Sequence, residues 1–149
     1  MLIFKIELDE FEEEEIDSYS RGHITIQGNS GIISSKLSKR NQSMMIFISL
    51  SDLLDAVCVL LASPLEKYNF VGTGCSFQFF IVKKSSNKLI LTSVKNEVID
   101  ELTEGELVEE IWREVKLFML NYGNSLEENE SVYNDLKYSI EEFKKQFNL

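Results

Sequence analysis

The spacing of the hydrophobic residues changes along the chain, and that change restricts the fold more than any single motif does. Leu2, Phe4, Ile6 and Leu8 alternate with Ile3, Lys5, Glu7 and Asp9. A period of two lays one face of a strand on a core. Ile24 and Ile26 alternate with Thr25 and Gln27, and Gly28-Asn29-Ser30-Gly31 separates them from Ile32-Ile33-Ser34. This pattern predicts a hairpin in which Gly and Asn supply the positive φ angles of a two-residue turn. Residues 35–43 are polar and read as a loop, and the apolar run Met44 to Leu50 predicts a third strand.

From Leu50 the period lengthens. Leu50, Leu53, Leu54, Val57, Cys58 and Leu61 recur at helical spacing, with Ser49 and Asp52 three apart as in a capping box. Ser63-Pro64 stops this helix, because the residue before proline avoids the helical region. Alternation returns over 75–95, where Phe77, Phe79 and Ile81 form one face and Leu89 to Val94 the return strand. Apolar residues on both faces predict a central place in the sheet.

Two helices close the chain. Thr103 and Glu106 form a second capping box ahead of Val108, Ile111, Trp112, Val115, Met119 and Tyr122, and Gly123-Asn124 ends that run. Tyr133, Leu136, Ile140, Phe143 and Phe147 then step by three and four. Packing inside the molecule explains that stripe, and a dimer seam is the alternative. Strands thus come in runs instead of alternating one by one with helices, which argues against a parallel nucleotide-binding sheet. The expected architecture is α+β, a single domain over 1–149. It has an antiparallel sheet of about five strands, one helix after the third strand and two C-terminal helices packed on the sheet.

With 149 residues, 44% of them hydrophobic, the chain can build its core without disulfides or metals. Cys58 and Cys75 sit in apolar stretches, no Cys-x-x-Cys occurs, and His23 is the single histidine. These read as two free buried thiols and no zinc site. The N-terminus alternates and turns acidic at once, unlike a signal peptide. The longest apolar run, Ala56 to Ala62, is far shorter than the roughly 20 residues of a membrane span. The expectation is a cytoplasmic protein with no membrane contact.

Charge is unevenly spread within a net −10. Residues 1–17 carry eight acids against Lys5, a net −7; residues 18–96 carry nine bases against three acids, a net +6; residues 97–149 carry 14 acids against five bases, a net −9. Such a chain repels phosphate backbones, so no nucleic acid is expected as a partner. It suits a basic protein, because complementary fields raise association rates. The bases of the middle segment fall mostly at turns and balance charge within the molecule.

No catalytic motif is recognisable. His23 is more readily structural than catalytic. Gly72-Thr73-Gly74 lacks the Gly-Lys-Ser/Thr end of a phosphate loop and precedes a strand. Glu109, Glu110 and Glu114 fall off the apolar stripe of their helix and read as a wet face. Phe70, Phe77, Phe79 and Phe80 read as core in preference to a ligand pocket. No cofactor and no metal is called for.

In size, acidity and the lack of a catalytic signature, the chain resembles the immunity proteins and antitoxins of bacterial toxin systems. That resemblance implies a non-catalytic module that neutralises a basic partner such as a nuclease toxin. Glu12, Glu13, Glu14 and Glu15 are the expected partner-binding residues, with Glu109 and Glu110 after them. The protein is expected to be a monomer or weak homodimer. The alternatives are a structural or regulatory subunit that dimerises through the last helix, and a small-ligand binder or enzyme whose site would show as a buried polar pocket around His23 or the aromatic strand.

Overall fold

The computed structural model describes residues 1–10, 15–37 and 40–149. Among these residues the chain is α+β, with two four-stranded antiparallel sheets and three helices. In the first sheet β1 (Ile3–Leu8) pairs one edge of β2 (Arg21–Gln27), with Phe4 opposite Ile26 and Glu7 opposite His23. The other edge of β2 is shared by β3 (Ile32–Ser34) and β4 (Met44–Met45). The alternation read in the sequence is visible directly: Phe4, Ile6, Leu8, Ile24 and Ile26 are buried.

The second sheet has the order β5 (Lys67–Val71), β6 (Gln78–Ser85), β7 (Lys88–Thr92), β8 (Val98–Thr103). The predicted hairpin is its centre, and Phe77, Phe79 and Ile81 are core. Phe70 stacks on Phe79 at 5.0 Å between ring centroids, so the aromatic residues of this region pack against one another. Phe80 is half-buried, with the Lys67 ammonium 4.2 Å above its ring.

The expected single sheet of about five strands is therefore two sheets. β5 and β8 extend the predicted hairpin on either side, each pairing with its neighbour in sequence in a β5-β6-β7-β8 meander, and none of these four strands pairs with the first sheet. The apolar run Met44 to Leu50 also resolves differently. Only Met44–Met45 is strand, and α1 spans Ile46–Ala62. Ile46, Phe47, Ser49 and Leu50 are fully buried and Ile48 is half-buried, and burial this nearly continuous shows neither period cleanly. Ser49 and Asp52 do not cap this helix. Ser49 Oγ accepts the Thr73 N–H at 3.0 Å and Asp52 accepts the Thr73 hydroxyl at 3.2 Å. Together they fasten the 72–75 turn to α1. The N–H groups of Thr73 and Cys75 are thereby bonded within the protein, which is not how a phosphate cradle presents them.

The 28–31 turn is four residues long, since Gln27 pairs with Ile32, and it closes with Gly28 N–H to the Gly31 carbonyl at 2.9 Å. Neither glycine has positive φ. Gly28 is required by contact instead: a Cβ there would stand 2.3 Å from the Ile99 carbonyl oxygen. Ser30 N–H donates to that same oxygen at 2.9 Å, so the hairpin tip joins the first sheet to β8 of the second.

α2 spans Glu104–Tyr122, with both hydrogen bonds of the Thr103/Glu106 capping box present. It runs into a 3-10 turn over Gly123–Ser125, with Gly123 in right-handed geometry. α3 spans Ser131–Phe147. Its stripe is taken up by the protein itself: Leu136 and Phe143 are fully buried, and Gln146 donates to the Cys58 carbonyl of α1 at 3.0 Å. One cluster of buried side chains includes residues from both sheets and all three helices. No helix among the described residues is long and apolar enough to cross a membrane.

Candidate functional site

The expected partner-binding acids meet different fates. Glu12, Glu13 and Glu14 lie outside the described residues. Glu15 is exposed, as is Glu109. Glu110 is not on a wet face. Its carboxylate accepts the Phe4 N–H at 3.3 Å and pairs with Arg113, and its side chain is 15% exposed. Glu114, four residues on, is 13% exposed and accepts from the Ile6 N–H. Four helical residues rise about 6 Å and two strand residues about 6.6 Å. Two carboxylates one turn apart on α2 thus match the alternate outward N–H groups of β1. The arrangement satisfies an edge strand that would otherwise offer those donors to another chain. Burial pushes the Glu114 carboxyl above its ordinary value, against the pull of Arg113.

A polar concavity lies where the end of β1 and the start of β2 meet Ser35, Lys36, Arg40 and Asn41. It has a volume of 540 Å³ and is lined by Glu7, Asp9, His23, Ser35, Lys36 and Arg40, among others. The β1–β2 register sets Glu7 across from His23. Ser35 follows β3, and its N–H continues the ladder to the Ile24 carbonyl at 3.1 Å. Its hydroxyl stands 2.9 Å from His23 Nδ1 and accepts the Ile24 N–H at 3.1 Å. On the other side of the ring, Nε2 is 3.7 Å from Asp9 Oδ2.

Burial lowers the His23 pKa, outweighing Asp9, which raises it; Lys36 adds to the lowering. A neutral ring with its proton on Nε2 suits both neighbours, facing Asp9 with a donor and Ser35 with an acceptor. Burial pushes Glu7 up, but Lys36, bonded to it, and Lys5 outweigh burial and hold it below its ordinary value. Glu7 in turn raises Lys36.

Asp9, His23 and Ser35 stand in the order of an acyl-transfer triad. The resemblance stops at the serine. Ser35 is 1% exposed and its hydroxyl is bonded to the strand backbone, so it does not present a nucleophile to the cavity. What the concavity can do is hold a small polar molecule between groups of both signs. Sequence reasoning singled out His23 but not Asp9, Ser35 or Lys36. The cross-strand neighbour Glu7 could have been found had the β1–β2 register been guessed.

Cys58 and Cys75 are free and half-buried. Burial, helped by Asp55 and Glu142, pushes the Cys58 thiol up to about 11. No group of three or more His, Cys, Asp or Glu among the described residues is placed to hold a metal ion. No protein-family model, curated protein or solved structure matches the chain.

Proposed function

We propose that the chain is a non-catalytic module that binds a basic protein through its acidic surface, as an immunity protein or antitoxin does. One observation supports this above the others: the two acidic segments, more than a hundred residues apart in sequence, lie side by side in the fold. The Ser18 hydroxyl donates to the Glu130 carboxylate. Asp17 adjoins that serine in sequence, and Glu127 and Glu128 lie within three residues of Glu130. Among the described residues, Glu15, Asp17, Glu127 and Glu128 form no ion pair, while the ion pairs there are engage Glu7, Asp9, Glu101, Glu110 and Glu114. A surface of one sign without local counter-charge steers a partner of the other sign.

In this reading the acidic run Glu12, Glu13, Glu14 and Glu15 precedes Asp17 in sequence, whereas Glu109, beside Met1 and Leu2 at the other end of β1, is a separate candidate and Glu110 satisfies the β1 edge. Replacing Glu15, Glu127 and Glu128 together with Gln slows association with the basic partner and flattens its salt dependence. Surface-immobilised kinetics over a range of salt concentrations reads both. Unchanged rates and an unchanged slope sink this assignment.

A second reading is favoured by the polar concavity around His23. There the protein holds a small polar ligand. Thermal-shift screening of amino acids, carboxylates and nucleotides tests it, with Lys36→Ala and His23→Ala as the variants that remove the response. A flat screen counts against it.

A further inference from the structure

α1 and α3 lie side by side, and a separate cavity of 230 Å³ opens between them. It is built from residues that share a face on each helix, at steps of three and four. Asp52 and Asp55 come from α1 and Asp135 from α3, and no basic residue lines the cavity. All three carboxylates are exposed and form its rim. Ile48 and Val132, both half-buried, give apolar walls, and the exposed ring of Tyr138 stands at the edge.

Ser51 also lines the cavity and is 7% exposed. Its hydroxyl is buried and has no hydrogen-bond partner, the one such side-chain atom among the described residues. A buried hydroxyl left unbonded is costly, and one that lines a cavity offers both a proton and lone pairs to whatever enters it. Burial pushes the Asp52 carboxyl up, although the Thr73 hydroxyl holds it down, and Asp55 adds to the rise. Asp52 and Asp55 thus crowd each other on one face of α1. The carboxylates are not placed for a metal ion. The cavity is smaller than the roughly 300 Å³ at which pockets for drug-sized ligands begin, so it fits one side-chain-sized group.

We propose that this cavity receives a single organic cation, a guanidinium or alkylammonium head among Asp52, Asp55 and Asp135, with one N–H donated to Ser51 Oγ. Ile48 and Val132 then cover the methylene stem, and the Tyr138 ring adds a cation–π contact. That the cation comes from an arginine or lysine side chain rests on the function proposed above. A free polyamine offers the same group.

The test is an NMR titration of the ¹⁵N-labelled full chain with N-acetylarginine amide, its uncharged citrulline analogue, and spermidine. The proposal predicts saturable shifts confined to residues 48–55 and 132–139, with a dissociation constant on the order of millimolar. The citrulline analogue produces none. Asp55→Asn with Asp135→Asn weakens binding at least about fivefold, the effect of two part-exposed ion pairs, while Glu97→Gln leaves it unchanged. Ser51→Ala weakens cation binding yet does not lower the melting temperature, a combination that a purely structural serine would not give. The proposal is overturned by shifts spread over all the acidic helices, by citrulline binding as well as arginine, or by no saturation. A salt-released basic partner that binds the Asp55/Asp135 variant as well as wild type removes this site but leaves the acidic surface standing. Saturable cation binding with no basic partner does the reverse.

Discussion

Gly28→Ala probes the joint between the two sheets. A Cβ at this position would lie 2.3 Å from the Ile99 carbonyl oxygen and 2.5 Å from Asp100 Cβ, about 1 Å short of the 3.4 Å at which ordinary contact begins. Neither atom can rotate away, so the hairpin tip must retreat from β8. The Ser30–Ile99 bond is 2.9 Å long, and a retreat of that size breaks it. Overpacking of this kind costs about 1–3 kcal/mol and the lost bond about 1 kcal/mol, about 2–4 kcal/mol together. With a urea slope of about 2 kcal/mol/M, the midpoint of unfolding by circular dichroism falls by about 1–2 M. Gly31→Ala is the matched control. Its Cβ would meet the flexible Ile99 Cδ1 at 3.2 Å, and losing a glycine's unfolded-state freedom offsets part of that by about 0.4–1 kcal/mol. Equal effects at the two glycines, or a wild-type midpoint for Gly28→Ala, would refute the close approach.

Other expectations follow from the same structure. Glu110→Ala leaves the Phe4 N–H without its acceptor and costs about 1 kcal/mol in urea unfolding, whereas Glu110→Gln, which retains an oxygen, costs less than half of that. His23 has a folded pKa below its unfolded value, so its contribution to stability is complete above the ordinary imidazole range, about pH 6.5, and is lost as pH falls below it. His23→Gln should therefore flatten the acid limb of the stability curve, and an unaltered limb counts against a buried neutral ring. The Cys58 thiol, pushed up to about 11, is only about one part in a thousand thiolate at pH 8. Its reaction with a chromogenic disulfide in the folded protein should be far slower than in urea, and equal rates contradict the burial.

The parts of the fold that were legible in the sequence are those that one element decides alone. Phe4 and Ile6 alternate because a single face of β1 is buried. The Thr103/Glu106 box is a matter of two side chains three residues apart. Phe77, Phe79 and Ile81 announce β6 for the same local reason. Where burial is nearly continuous the signal fades, and Ile46 to Leu50 reads equally well as strand or helix. The division into two sheets depends on which strands do not pair: β5 to β8 join one another in sequence order, and none of them joins β1 to β4, a choice that no single strand's pattern decides. The concavity around His23 needs Asp9 and Ser35 delivered by register. Glu110 and Glu114 were misjudged as solvated because a helical wheel shows what is off the apolar stripe, and not the strand edge those carboxylates meet. The cavity between α1 and α3 is spread over two helices whose mutual placement the sequence does not encode locally.

The acidic surface is the central claim, and a paired pull-down from the native host tests it most directly. Tagged wild type and the Glu15/Glu127/Glu128→Gln variant are loaded at low salt and eluted in a salt gradient, with mass spectrometry on each fraction. The account predicts a stoichiometric basic protein that leaves wild type only at raised salt and leaves the variant earlier. A basic partner eluting identically from both, or no basic partner from a host shown to express this chain, would contradict it.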